Sequence, residues 1–127
     1  MSSPAAAATR TTVVIGASNN PARYAYVATQ RLHRAGHTVV AVGLQAGRIG
    51  EIEVHADRPA VPGVDTVTLY VSPQHQPAWR EYILGLRPRR IIFNPGTENL
   101  ELEQAARAAG IITEEACTLV LLSTGQY

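Results

Sequence analysis

Thr12-Val13-Val14-Ile15-Gly16-Ala17-Ser18-Asn19-Asn20-Pro21 is the stretch that decides the fold of this chain. A β-branched apolar run stops at a glycine, passes through small and polar residues, and re-enters order at Asn-Pro. This is the pattern of a buried strand, a tight turn and a helix start. Asn20 is expected as the N-cap and Pro21 as the first helical residue, where its missing N–H costs nothing. In an open α/β sheet, backbone N–H groups and the positive helix end converge on the first such turn. The stretch therefore predicts a ligand that carries phosphate.

Working outward, apolar periods of two and of three-to-four alternate along the chain. A helix is expected over about residues 21–35, with Ala25, Ala28, Leu32 and Ala35 on its buried face and Gly36 as its stop. Thr38-Val39-Val40-Ala41-Val42 reads as a second strand ended by Gly43, and Ile52-Glu53-Val54 as a short edge strand. The next strand is expected over residues 64–71, closed by Ser72-Pro73, with a helix to follow over about residues 76–86 that turns Trp79, Ile83 and Leu86 inward. Arg90-Ile91-Ile92-Phe93 is a further strand, ended by Asn94-Pro95-Gly96. Asn99 then caps a helix with Leu102, Ala105, Ala106 and Ala109 as its stripe, Ile111-Ile112-Thr113 is the last strand, and residues 117–122 form a short final helix. Alternation with short links means parallel strands joined by right-handed crossovers. The expectation is one α/β domain over residues 10–127: a doubly wound, mostly parallel sheet of about five to six strands with helices on both faces.

The whole-chain numbers agree. A chain of 127 residues buries roughly two thirds of its unfolded surface. Apolar content of 46% against 17% charged residues suits strands covered on both faces. No apolar run approaches the roughly 20 residues of a membrane span. Residues 1–9 lack a charged start and an apolar core, so they read as a disordered tail rather than a signal peptide. A net charge of +1 gives no support to nucleic-acid or membrane-surface binding. One cysteine excludes an internal disulfide and fits a reducing cytoplasm. All 11 basic residues are arginine, so a P-loop lysine, a Schiff base and a lysine nucleophile are ruled out.

In such a sheet the ligand lies across the carboxyl ends of the strands, near the point where strand order reverses. That selects Gly16-Ala17-Ser18-Asn19, Gly43-Leu44, Ser72-Pro73 and Asn94-Pro95-Gly96, all built from small, turn-forming, hydroxyl or amide residues. Strand-to-helix turns use the same residues for structural reasons, so the signal is their concentration on one rim. The first loop lacks the three glycines of the dinucleotide fingerprint. NAD binders also carry an acid at the end of the second strand, where this chain has Val42-Gly43-Leu44-Gln45, with Arg48 nearby and no acid before Glu51. NAD is disfavoured, and a cation is available for a phosphorylated ribose.

Val-Ile-Gly-Ala-Ser-x-Asn-Pro-x-Arg-Tyr, Val-Asp-Thr-Val-x-Leu-Tyr, Phe-Asn-Pro-Gly-Thr-Glu-Asn and a late Glu-Ala-Cys together resemble the small stand-alone CoA-binding proteins. These are similar to the N-terminal, Rossmann-like CoA-binding domain of the succinyl-CoA synthetase α subunit. The resemblance runs over about residues 10–127. It implies that Gly16, Ala17 and Ser18, with Asn19 and Pro21, form the phosphate-binding loop for the CoA pyrophosphate, and that Arg23 and Tyr24 stand beside it. It further implies that Val42 and Gly43 match the end of the second strand, where the family has Val-Asn-Pro. Val71, Ser72, Pro73, Asn94, Pro95 and Gly96 match the later ligand-facing loops, although many members have Gln-x-Gly at the second of these. The implied cofactor is CoA or an acyl-CoA.

The same resemblance argues against catalysis, because the synthetase's phosphohistidine comes from a separate domain. His33 and His37 are expected at the amino edge of the sheet and His55 in an irregular connection. His75, just beyond a rim loop, has a path to the site or is a surface residue at a helix start. No histidine pair has metal spacing such as His-x-x-x-His with a third ligand, so no metal site is expected. Cys117 reads either as a thiol beside the pantetheine arm or as a small buried hydrophobe, with Glu114 and Glu115 opposing its ionisation. Arg87, Arg89 and Arg90 are expected in a solvated loop opposite the rim. Arg23 sits in a first helical turn, where a cation opposes the helix dipole unless an anion is near. Tyr24 and Tyr26 stack on the ligand or pack on the helix. Two functions remain open: a non-enzymatic CoA-binding module, acting as a sensor or accessory subunit with room for a protein partner or a homodimer, and a small NADP-dependent enzyme or nucleotide-binding regulatory subunit.

Overall fold

β1 (Thr11–Ile15) forms where a β-branched run is buried on both faces, and it lies at the centre of a seven-stranded sheet. The computed structural model of the protein describes residues 11–127; the tail expected over residues 1–9 lies outside the described residues. β2 (Thr38–Val42), β3 (Gly47–Ile49) and β4 (Ile52–His55) extend the sheet to one side. β5 (Val64–Leu69), β6 (Arg90–Phe93) and β7 (Ile112–Glu115) extend it to the other. The spatial order is β3-β4-β2-β1-β5-β6-β7. All neighbours pair in parallel except β3 with β4. Strand order reverses between β1 and β5, the ligand position of a doubly wound fold.

β3 exceeds the expected strand count. Gly47-Arg48-Ile49 is too short to show a period of two, and it is a strand only because it folds back antiparallel on β4. This hairpin occupies the crossover between β2 and β4 that a helix fills in most such folds.

α1 (Tyr24–Arg34) buries Ala25, Ala28, Thr29 and Leu32. It begins three residues later than Pro21. The Asn20 side chain accepts from the Ala22 N–H at 3.0 Å and the Arg23 N–H reaches the Asn20 carbonyl at 3.0 Å, which spends residues 20–23 on a local turn. A 3₁₀ turn (Pro73–Ala78) precedes α2 (Arg80–Gly85), so the second helix is split; Pro77 supplies no N–H to a continuous one. α3 (Leu100–Ala108) is capped as expected, with the Asn99 side chain accepting from the Glu101 and Leu102 N–H groups at 3.1 and 3.4 Å. Its buried stripe holds Glu103 in place of Ala109; burial, and then Glu115, push that carboxyl above its usual range. α4 (Thr118–Ser123) closes the chain.

The two sheet faces carry separate cores. Val13, Ile15, Val67, Leu69, Ile91 and Phe93 meet Trp79, Ile83, Leu102 and Ala106 from the side of α2 and α3. Val14, Ala41 and Val54 meet Ala25 and Leu32 of α1 on the other, where Leu122 and Tyr127 also pack. Arg90 is not solvated as expected but buried. As the first residue of β6, it donates to Thr66 Oγ1 at 2.9 Å, Glu114 Oε1 at 3.0 Å and the Tyr127 carbonyl at 3.1 Å, under the Tyr127 ring. No helix among the described residues is long and apolar enough to cross a membrane.

Candidate functional site at the carboxyl rim

His55, Val42, Ile15, Leu69, Phe93 and Glu115 are register partners across the six parallel strands, and each is the last residue of its strand. The loops that leave them share one rim. His55, expected in an irregular connection, is thus on the rim, and its Nδ1 lies 3.8 Å from Asp57 Oδ1. His75 is exposed in the 3₁₀ turn beyond the same edge. His33 and His37 lie at the opposite edge, facing Glu51 and the Tyr127 ring respectively.

The loop after β1 is held by two close approaches. Gly16 has φ +91, and a Cβ there would stand 2.7 Å from the Tyr70 carbonyl oxygen. Its N–H and that of Ala17 both donate to the Val42 carbonyl, at 2.9 and 3.0 Å. These two amides are therefore engaged within the sheet, and Gly16 and Ala17 act as the scaffold of the loop. Val42 supplies the acceptor. Gly43 packs so close that a Cβ would lie 2.1 Å from the Ala17 carbonyl oxygen, and Asn19 lies against Gly47, where a Cβ would be 3.0 Å from its Nδ2.

Beyond this scaffold the loop opens outward. The Ser18 and Asn19 N–H groups make no hydrogen bond among the described residues, and Ser18 Oγ accepts from the Asn20 N–H at 3.1 Å. Pro21 and Arg23 are exposed. The α1 N-cap is Arg23, which offers no side-chain acceptor, and the first turn holds no acidic residue. The Arg23 guanidinium makes no ion pair or hydrogen bond among the described residues. An uncapped helix start beside an unpaired cation can hold an anion. Tyr24 is 76% exposed and Leu44, beside Gly43, is 82% exposed, so apolar surface flanks this polar centre. Tyr26 is half-buried against α1's core. Arg48, the cation read as available to a ribose phosphate, instead donates to the Glu51 carbonyl at 3.2 Å, toward the hairpin turn at the far end of β4.

On the other side of β1, the side chain of Asn94 turns inward, although the sequence pattern pointed it to a ligand. It is 1% exposed; Nδ2 donates to Thr68 Oγ1 at 2.7 Å and the Leu69 carbonyl at 2.9 Å, and Oδ1 accepts from the Thr118 N–H at 2.9 Å. Val71, Ser72 and Pro73 are half-buried, while Pro95 and Gly96 are exposed, and the Gly96 N–H donates to Glu98 Oε1 at 2.8 Å. Cys117 is half-buried at the start of α4 beside Tyr70. Burial, and then Cys117, push the Tyr70 phenol up to about 12, so it is neutral at physiological pH. Among the described residues no group of three His, Cys, Asp or Glu side chains is placed to hold a metal ion.

The sequence reading missed Gln76, Thr97 and Thr118. Gln76 and Thr97 are buried in and beneath the β5 and β6 loops, and Thr118 joins Thr68 through a 2.7 Å hydroxyl pair. An isolated Gln or Thr between helices has no periodicity to announce it; its role exists only once the loops meet.

A family model described as a CoA binding domain matches residues 10–123. A crystal structure of an uncharacterized protein is 46% identical over 94% of this chain and 99% of its own, with a TM-score of 0.91. A protein from Thermus thermophilus is 24% identical over 97% of this chain and 94% of its own, with a TM-score of 0.82. A hypothetical protein from Pyrococcus horikoshii OT3 is 22% identical over 89% of this chain and 81% of its own, with a TM-score of 0.77. The last two share the fold. No curated protein matches the sequence.

Proposed function

Because this chain belongs to the family of CoA binding domains, we propose that it holds CoA or an acyl-CoA along the carboxyl rim, in the cytoplasm, without chemistry of its own. The observation that carries the reading is the start of α1: two outward loop amides, no capping acceptor, no acid in the first turn and an unengaged Arg23. The pyrophosphate takes the Ser18 and Asn19 N–H groups and the first-turn amides, with Arg23 beside it. Tyr24 and Leu44 offer apolar surface to the adenosine, and Gly43 lets it approach the backbone. The pantetheine arm runs the other way, past Val71 and Ser72 toward Pro95 and Gly96, where Asn94 contributes by holding the backbone.

Titration of the protein with CoA, NAD and NADP by calorimetry tests this. CoA is expected to bind tightest, and tighter binding of NAD than of CoA would sink the idea. NADP in first place would favour the nucleotide-dependent alternative. Losing a charge-assisted bond costs about 1.5–3 kcal/mol, so Arg23→Ala is expected to weaken CoA binding by roughly ten- to a hundredfold at unchanged stability. An affinity within a factor of about two of wild type removes Arg23 from the site.

Support for binding without catalysis is chemical. The chain has no lysine, its four histidines are dispersed, and the Ser18 hydroxyl has the Asn20 N–H as its partner rather than a base. Incubation with acetyl-CoA or succinyl-CoA is expected to release thiol no faster than in protein-free buffer. Turnover that disappears in His75→Ala or Cys117→Ala would reveal an active site.

A further inference from the structure

Gln76 is 1% exposed, and its side chain ties together three pieces of the rim. Its Nε2 donates both protons, to the Val71 carbonyl at 2.8 Å and to the Thr97 carbonyl at 2.7 Å. Its Oε1 accepts from Asn99 Nδ2 at 2.9 Å. Asn99 uses its other amide atom, Oδ1, to cap α3. One buried amide thus joins the loop after β5, the loop after β6 and the start of α3. Thr97 extends the tie, with both its N–H (2.9 Å) and its hydroxyl (2.7 Å) donating to the Asn94 carbonyl.

We infer that Gln76 is a positioning residue: it latches the β5 and β6 loops in the shape that receives the ligand. The inference rests on the CoA reading above. Loop residues such as Val71, Ser72, Pro95 and Gly96 lie at the chain's surface, where ordering them on binding would lower affinity. A fully satisfied buried amide between two carbonyls sets that order beforehand. The orientation of Gln76 is fixed by its neighbours, since two carbonyl oxygens require the NH₂ end.

Asn99→Asp separates the latch from the fold. Aspartate caps α3 as well as asparagine does, but it brings an acceptor to Gln76 Oε1 where a donor stood. If the Gln76 amide turns over to meet it, Oε1 faces the Val71 and Thr97 carbonyls instead. Either way the tie fails while the cap remains. Asn99→Ser, which also caps a helix and is too short to reach Gln76, repeats the test without adding charge.

Calorimetry with CoA and amide hydrogen exchange at His75 and Thr97, whose N–H groups donate to the Ser72 and Asn94 carbonyls at 2.9 Å, read the result. In both variants we expect the protein to remain cooperatively folded with its thermal midpoint lowered by roughly 3–6 °C, faster exchange at these amides in the free protein and a CoA Kd raised on the order of tenfold. Saturating CoA is expected to restore slow exchange, which a general loss of structure would not allow. Faster exchange with CoA affinity within about twofold of wild type overturns the positioning role and leaves the CoA reading intact. Unchanged exchange overturns the latch itself. If wild-type protein does not bind CoA, the CoA reading fails and the positioning role falls with it.

Discussion

Asn94→Ala is expected to lower the stability of the domain by about 3–5 kcal/mol, most of the margin of an ordinary small domain. The side chain satisfies a hydroxyl, a backbone carbonyl and a backbone N–H at once: Thr68 Oγ1, the Leu69 carbonyl and the Thr118 amide. These come from β5 and from the start of α4, and the residue itself directly follows β6, so one amide pins three elements. Truncation leaves the carbonyl and the N–H buried without partners and opens a void where the amide stood. Each unsatisfied group costs roughly 1–3 kcal/mol, far more than the hydrogen bond alone contributes. Urea unfolding of wild type and variant checks the figure. A loss below about 1 kcal/mol would mean that water or a neighbour takes over these bonds, and that Asn94 is not the clamp.

The same residue shows what the sequence could and could not say about this rim. Asn94-Pro95-Gly96 was legible as a turn at the end of a strand, because turn chemistry is local. Which way the Asn94 side chain points was not, because its partners lie about twenty-five residues away in either direction. Asn20 failed differently. Its position before Pro21 suits a cap, but the side chain closes on Ala22 first, so α1 starts at Tyr24 and leaves its end uncapped. That change leaves the helix start open to the anion proposed there rather than closing it. β1, the Ala25, Ala28 and Leu32 face of the helix after it and the Asn99 cap were legible, since each is written in adjacent residues, whereas Ala35, read on that same face, is exposed just past the helix end. β3 and the buried Arg90 were not, because a three-residue strand and a covered arginine exist only through β4 and Tyr127. Gln76 belongs with them: its meaning lies in two carbonyls from two loops.

Gly43→Ala is expected to damage both stability and binding, because the added methyl has nowhere to go. Its Cβ would fall 2.1 Å from the Ala17 carbonyl oxygen and 3.1 Å from the carbonyl carbon. These are backbone atoms, so no side chain can swing aside. The loop cannot recede either: Gly16 and Ala17 N–H groups are fastened to the Val42 carbonyl, one residue from the new methyl. Gly16 is in turn pressed against the Tyr70 carbonyl. Relief requires breaking these bonds or separating the ends of β1 and β2, at about 2–4 kcal/mol. A shift of the β1 loop on the order of 1 Å would misalign the Ser18 and Asn19 amides and weaken CoA binding by roughly a hundredfold. Urea unfolding and calorimetry with CoA on the same sample separate the two effects. Destabilisation with unchanged CoA affinity would move the pyrophosphate away from this loop. Wild-type stability would mean that the loops after β1 and β2 do not touch as described.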